Sequence, residues 1–249
     1  MYNIPFNREH CEFANICPNY GNEEKCHSGC AKYQCVYVIF EEENSCNFPI
    51  NWKNTTFINR AYGEDENEYK YLEKIEDNIV NWVKQGNNLY LYSSILGNGK
   101  TSWALELGYY AICGLIYAEP GKYLNGGNFG VSPVIYINVI EFLATKKDSF
   151  ITKDKNIIKL QEAIKQASLV IWDDFGNNKL TDYEYNLIYS LLNNRIASSK
   201  SNIFTSNVID EKLIENVGPR IASRVLETSE QIEFINCSFR KPKSTIRRK

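Results

Sequence analysis

The sequence lacks the features of a membrane-embedded or exported protein. Its longest apolar stretch, around residues 109–118, is too short to span a bilayer, and no apolar signal-peptide segment stands at its start. The formal net charge is only −2, so there is no overall attraction to nucleic acid or to a membrane surface. No internal repeat is visible. We therefore expect a cytoplasmic protein with no membrane partner.

The composition is that of an ordinary globular protein. Hydrophobic residues make up 43% and charged residues 23% of the 249 residues, which suffices for one α/β domain with a small additional module. Positive charge is concentrated at one end, where residues 240–249 contain six cations. This basic tail is expected either to follow a DNA backbone or to serve as a solubilising end.

Six of the eight cysteines lie within the first 46 residues, and this clustering predicts a metal site. Because thiols stay reduced in the cytoplasm and tetrahedral Zn²⁺ suits four sulfurs, zinc is favoured over an iron–sulfur cluster or free thiols. The spacing C-x5-C-x8-C-x3-C identifies the predicted ligands as Cys11, Cys17, Cys26 and Cys30. Paired C-x2-C knuckles are missing, so the ligand set stays open. The alternatives are Cys35 in place of Cys11, and His10 or His27 as substitutes.

The most specific motif is a phosphate-binding P-loop. Residues 94–101 have the sequence Ser-Ile-Leu-Gly-Asn-Gly-Lys-Thr and lie between an apolar run and a helical pattern. In such a loop backbone N–H groups surround the β-phosphate, Lys100 contacts the β and γ oxygens, and the Thr101 hydroxyl ligates Mg²⁺. Ser94 stands where the first glycine is expected. The predicted ligands of ATP and Mg²⁺ are Gly97, Asn98, Gly99, Lys100, Thr101, Ser102 and Asp173.

A pair of acids ends the next apolar strand, residues 169–172. An acid at that point lies at the carboxyl edge of a parallel sheet, where ligands of open α/β sheets bind. We expect Asp173 to hold the Mg²⁺ shell. Asp174 is expected to orient or deprotonate the attacking water, a role that the longer Glu fills more often.

Two later motifs add candidate catalytic groups. Asn207 follows an apolar strand and is a candidate contact to the γ-phosphate or its attacking water. Arg220 and Arg224 are four positions apart and therefore share a helix face. A guanidinium stabilises a transferring phosphoryl group, although an arginine pair is also common on a solvated helix face.

The pattern divides the chain into four segments. Residues 1–46 form the Cys-rich metal-binding module, 47–65 a linker, 66–240 an ATPase domain and 241–249 the basic tail. Within the ATPase domain strands and helices alternate, which predicts a parallel sheet covered by helices on both faces. The Gly- and Asn-rich residues 119–133 predict a surface loop.

In this order the motifs resemble those of the DnaC/DnaI-type AAA+ helicase loaders, especially phage-borne ones. The resemblance spans roughly residues 88–240. It rests on the P-loop, Val-Ile-Trp-Asp-Asp-Phe-Gly176, Thr-Ser-Asn207, Gly-Pro-Arg-Ile-Ala-Ser-Arg224 and Cys-Ser-Phe-Arg240. It implies an α/β AAA+ P-loop ATPase fold. In that fold Asn207 matches sensor I, Arg224 the arginine finger, Arg220 its neighbour in the same box, and Arg240 sensor II.

The same resemblance implies a function. The chain would load a hexameric replicative DNA helicase onto single-stranded DNA, docking through its N-terminal zinc module and self-associating in an ATP-dependent spiral. Two alternatives stay open: an IstB-like transposition helper with the same ATPase core, and a zinc-dependent binding scaffold with a degenerate ATPase. Ser94 and Asp174 depart from the family pattern, which concerns the rate of hydrolysis more than nucleotide binding.

Overall fold

The structure is a computed structural model that describes residues 6–22, 24–42, 44–56, 63–125, 128–152 and 155–239. Its strands are Asn88–Tyr92 (β1), Leu124–Asn125 (β2), Asn128–Phe129 (β3), Val134–Asn138 (β4), Leu169–Asp173 (β5), Ser201–Ser206 (β6) and Glu230–Glu233 (β7). Its α-helices are Ala31–Tyr37 (α1), Trp52–Thr56 (α2), Glu66–Asp77 (α3), Ile79–Lys84 (α4), Lys100–Ala118 (α5), Pro120–Tyr123 (α6), Val139–Thr152 (α7), Lys155–Gln166 (α8), Asp182–Ala197 (α9), Asp210–Val217 (α10) and Pro219–Thr228 (α11). None of the described helices is both long and apolar enough to cross a membrane.

Five strands form one parallel sheet in the order β4-β5-β6-β1-β7, and β2 pairs with β3 in a separate short hairpin. Every residue of β5 and β6 is buried, because helices cover the sheet on both sides. Alternate residues of β1 enter different hydrophobic clusters: Leu89 and Leu91 belong to one, and Tyr90 to the other. The predicted parallel sheet between helical layers is therefore confirmed.

The structure differs from the sequence prediction at three elements. The apolar residues from Glu66 onward, which are Tyr69, Leu72, Ile75, Ile79 and Val83, have the spacing of one continuous helix. The helix is instead interrupted at Asn78, whose backbone leaves the helical region between α3 and α4. The predicted loop 119–133 contains α6 and the β2–β3 hairpin. Helix α10 was not predicted, because its first turn, Asp210 and Glu211, is polar and resembles the turn that precedes it.

The N-terminal segments pack directly against the P-loop helix α5. One hydrophobic cluster contains Phe13, Cys35 and Trp52 together with Leu107 of α5. Residues 44–48 also cover the free edge of the sheet at β4, which would otherwise expose unpaired backbone groups. The boundaries proposed at residues 46 and 65 stay predictions.

Candidate nucleotide-binding site

The loop between β1 and α5 has the backbone shape that a phosphate-binding loop requires. Gly97 has a φ of 78° and Gly99 a φ of 100°, values in the left-handed region that favours glycine. Ser94 has no positive φ and its side chain is exposed, so a Cβ is accommodated at this departure from the consensus. Helix α5 begins at Lys100, so the first backbone N–H groups of the helix point toward the loop.

Asn98 ties this loop to the rest of the domain. Its side chain is fully buried, and its Nδ2 donates to Ser93 Oγ at 2.7 Å and to the Phe234 carbonyl at 3.2 Å. The Phe239 N–H donates to the Gly97 carbonyl at 2.9 Å. Lys100 Nζ donates to Asn98 Oδ1 at 3.0 Å. These hydrogen bonds within the protein therefore fix the conformation of the P-loop.

Asp173, at the end of β5, is a buried carboxylate surrounded by hydroxyl groups. Its Oδ1 accepts from Thr101 Oγ1 at 2.8 Å and from Thr205 Oγ1 at 2.5 Å, and its Oδ2 accepts from Tyr136 Oη at 2.6 Å. Burial raises the pKa of Asp173, and the hydrogen bonds from Thr205, Tyr136 and Thr101 oppose that rise. Asp174 nearby adds to the rise in this pKa.

The predicted Mg²⁺ ligands thus lie together, although they come from elements 72 residues apart in sequence. A hydroxyl and a carboxylate are hard oxygen donors of the kind that Mg²⁺ prefers. Gly97 and Gly99 leave the loop free of Cβ atoms where backbone must approach phosphate. These residues fit a nucleotide with Mg²⁺: Thr101 and Asp173 would hold the metal, and the loop with Lys100 would hold the phosphates.

Asp174 lies in a cluster of amides. It has a φ of 57°, a left-handed backbone that Asp tolerates better than most residues. Its carboxylate accepts from Asn177 at 2.9 Å, from Asn138 at 3.1 Å and from Asn207 at 3.2 Å. The structure therefore brings Asn207 beside Asp174, as expected for groups at the carboxyl edge of one sheet. Asn138 and Asn177 were not predicted, although each follows a buried strand or its acids.

The arginines of α11 lie apart from this cluster. Arg224 is half-buried, with its guanidinium 5.2 Å from the ring centre of Tyr189 and donating to the Tyr189 hydroxyl at 3.3 Å. Arg220 is exposed. Within the described part of the chain, neither arginine is hydrogen-bonded to the P-loop or to the two acids. Ser102 lies half-buried in the first turn of α5. Arg240 and the tail 241–249 fall outside the described residues.

The four predicted zinc ligands line one cavity of about 190 Å³. Burial raises the pKa of Cys11, and the neighbouring thiols of Cys26, Cys30 and Cys17 raise it further. Among the described residues, however, no three His, Cys, Asp or Glu side chains are arranged to hold a metal ion. The geometry therefore does not support the predicted zinc site.

The alternative ligands do not complete such a site. Cys35 is buried, and burial raises its pKa to about 11. His27 Nδ1 accepts from the Gly29 N–H at 3.0 Å and so serves a local turn. The side chain of His10 is outside the described part of the structure.

No protein-family model and no curated protein matches the sequence. Solved structures do match its fold. The DnaC helicase loader superimposes with a TM-score of 0.58 at 16% identity, over 75% of this chain and 100% of that chain. DnaI gives a TM-score of 0.56 at 19% identity, over 75% of this chain and 94% of that chain.

A replication initiator, DnaA bound to AMPPCP and single-stranded DNA, gives a TM-score of 0.51 at 18% identity. The match covers 73% of this chain but only 48% of the DnaA chain. Together with the parallel sheet and the P-loop, these neighbours show an AAA+ P-loop ATPase fold. The fold is shared with the DnaC and DnaI structures, the group that the sequence motifs resemble.

Proposed function

We propose that this chain is an ATP-dependent loader of a hexameric replicative DNA helicase onto single-stranded DNA. One observation carries the nucleotide part of the proposal: Thr101 of the P-loop and Asp173 of β5 are joined at 2.8 Å, with Asp174 and Asn207 adjacent. The likeness of the fold to DnaC and DnaI supports the loader part. Partners would be the helicase, single-stranded DNA and further copies of the chain.

Each group in the site has a distinct task. The P-loop backbone and Lys100 bind the phosphates, and Thr101 with Asp173 holds Mg²⁺, which when bound neutralises charge on the phosphate oxygens. Asp174 orients the attacking water. Asn207, which donates to Asp174, senses the γ-phosphate from the same subunit.

The assembled form needs a second subunit. Arg224, which contacts Tyr189 of α9 and matches the arginine finger in the sequence resemblance, reaches the γ-phosphate of a neighbouring copy. Contact with Tyr189 holds the guanidinium ready at the surface of α11. ATP then favours the spiral and hydrolysis weakens it. Arg240 as sensor II and the basic tail on DNA belong to the same proposal.

A loading assay tests the function. The purified chain, the hexameric helicase of the host and circular single-stranded DNA are mixed, and DNA-bound helicase is counted with ATP and without it. We expect ATP-dependent loading that Lys100→Ala removes and that Lys212→Ala, an exposed lysine paired with Glu215, leaves intact. Capture of a transposase instead of the helicase would favour the IstB-like alternative.

A second candidate function has one observation in its favour. Asp174 is shorter than Glu, and its carboxylate already accepts from three amides. These bonds would hold it away from water, which favours a binding scaffold that takes ATP without turnover. Tight ATP binding with no hydrolysis in the presence of helicase and DNA would establish the scaffold and exclude the loader cycle.

Whether the N-terminal cysteines bind zinc is a question for elemental analysis. Elemental analysis of freshly purified protein should find about one zinc per chain if Cys11, Cys17, Cys26 and Cys30 close around a metal. Cys26→Ser should then release it without loss of ATP binding. If the purified protein contains neither zinc nor iron, the metal site predicted in the N-terminal module is refuted.

A further inference from the structure

Tyr136 joins the N-terminal region to the acid that would hold Mg²⁺. It lies in the edge strand β4 and is only 7% exposed. Its backbone N–H donates to the Cys46 carbonyl at 2.8 Å, and its carbonyl accepts from Asn47 Nδ2 at 2.9 Å. Its hydroxyl donates to Asp173 Oδ2 at 2.6 Å. The backbone of Tyr136 is therefore hydrogen-bonded to residues 46 and 47 on the edge of the sheet, while its side chain contacts Asp173.

The loop that holds Tyr136, residues 44–48, has a defined internal structure. Asn44 and Asn47 both have left-handed backbones, with φ of 42° and 57°. The Asn44 side chain accepts from the Phe48 N–H at 3.1 Å and donates to the Phe48 carbonyl at 2.8 Å. The Phe48 ring lies edge-on to the Tyr136 ring with centres 6.4 Å apart. The loop therefore contacts both the backbone and the ring of Tyr136, so its displacement would change the packing and hydrogen bonding around the tyrosine.

The Tyr136 hydroxyl occupies a position on Asp173 that the other two hydroxyls do not. Thr101 and Thr205 both donate to Oδ1, whereas Tyr136 donates to Oδ2. Three donors on two oxygens set the plane of the carboxylate. Without the tyrosine hydroxyl, a buried Oδ2 loses this hydrogen bond, and only the two bonds to Oδ1 restrain rotation about the Cβ–Cγ bond.

We propose that Tyr136 is a positioning residue that orients Asp173 for Mg²⁺, and that the loop 44–48 controls it. The inference rests on the proposed nucleotide site and adds a regulator to it. A protein that binds the N-terminal region and shifts this loop changes the affinity for Mg²⁺–ATP without touching the nucleotide. Orientation of a metal ligand by an outer hydrogen bond is a general means of tuning metal affinity.

The test is the ratio of ATP affinities measured by calorimetry with Mg²⁺ and with EDTA. Tyr136→Phe should lower this ratio about 10-fold, because outer hydrogen bonds to metal ligands contribute on that scale. ATP affinity in EDTA should equal that of the parent, since the P-loop is unchanged. Tyr90→Phe is the matched control: it removes a buried hydroxyl from the same sheet, one that donates to the Val208 carbonyl, and should leave the ratio unchanged.

Asn47→Gly tests the loop. Glycine retains the left-handed backbone and removes only the amide that holds the Tyr136 carbonyl. The ratio should fall in the same direction, and the double variant should lose no more than Tyr136→Phe alone, since both act through one hydrogen bond. Thermal melting identifies any variant that fails to fold.

The outcomes separate the two proposals. If the parent does not bind ATP, the proposed nucleotide site itself fails, and if it binds ATP equally with Mg²⁺ and EDTA, the proposed Mg²⁺ ligands fail. If the parent responds to Mg²⁺ and Tyr136→Phe responds equally, the positioning role is refuted and the nucleotide site stands. If Tyr136→Phe lowers the ratio while Asn47→Gly leaves it unchanged, control by the loop is refuted.

Discussion

The two ends of the sheet each bury a charge, and they use it differently. At the carboxyl end, Asp173 is 4% exposed and accepts hydrogen bonds from hydroxyl groups beside the P-loop. At the amino end, Arg195 is fully buried, and no described carboxylate pairs with it. Its guanidinium donates to the carbonyls of Ile164, Ala167 and Ser201 and to Asn202 Oδ1.

The two charged groups differ in whether unused hydrogen-bonding or ligand positions lie beside them. Arg195 is surrounded by acceptors from α8, its C-terminal loop and β6, so the chain itself uses its donors. Asn202 Oδ1, one of those acceptors, also accepts a hydrogen bond from Trp172 Nε1 at 3.0 Å. Its Nδ2 donates to Asn88 Oδ1 at 2.8 Å, so the side chain links β5, β6 and β1. Asp173 instead lies next to a loop of backbone N–H groups. A buried charge therefore indicates a binding site only when open ligand positions adjoin it.

Arg195→Met should have the largest effect on stability. Burial lowers the pKa of Arg195 to about 9, and its removal leaves several buried carbonyls without donors. We expect a loss of about 3 to 5 kcal/mol in the free energy of unfolding, measured by urea denaturation. Arg220→Met, at an exposed site, should change it by less than about 0.5 kcal/mol. Weaker ATP binding at full stability would contradict the structural role of Arg195.

Lys100→Ala should weaken ATP binding and leave the stability of the fold nearly unchanged. The lysine supplies charge to the phosphates, so we expect ATP affinity to fall at least ~100-fold, about 2.7 kcal/mol. Because two of its hydrogen bonds lie within the loop itself, to the Ile95 carbonyl and Asn98 Oδ1, the melting temperature should change little. Calorimetry that finds equal ATP affinity in Lys100→Ala and Lys212→Ala would remove the P-loop assignment.

Asp173→Asn should have the smallest effect of the three variants, and that effect should be a gain in stability. Burial raises the pKa of Asp173, so the folded state binds its proton more tightly than the unfolded state, in which the pKa is about 3.9. The stability that protonation provides is present below that value and is lost as pH rises through the folded pKa. The neutral amide should therefore stabilise the fold by about 1 kcal/mol at pH 8 and by nothing in strong acid. Equal gains at both pH values would show that charge is not the cause.

Much of the architecture was predictable because it depends on local patterns. Helix α9 begins at Asp182, where Thr181 and Glu184 form a reciprocal capping box. The buried strands were marked by continuous apolar runs such as residues 169–172. The P-loop and Asp173 could be proposed as site residues because a motif and a strand end can be recognised without knowing the rest of the fold.

The remainder of the site depends on contacts between distant residues. Tyr136 and Asn138 contact the two acids across 37 and 36 residues, and neither belongs to a motif that marks it as part of a site: Tyr136 lies within an apolar strand and Asn138 at its end. The spacing of the cysteines was conspicuous in the sequence but did not predict the geometry of a site. The four predicted cysteines line one cavity, but spacing does not fix side-chain direction, and a metal-binding arrangement is not formed among the described residues.

The covering of β4 by residues 44–48 has a consequence for synthesis on the ribosome. Asn47 meets its acceptor, Tyr136, 89 residues later in the chain. At about 5 to 20 residues per second, translation takes roughly 5 to 20 s to produce that strand. During this time Phe48 and Trp52 are made but lack the sheet and helix that bury them. The apolar side chains of Phe48 and Trp52 therefore stay without their native packing until β4 emerges.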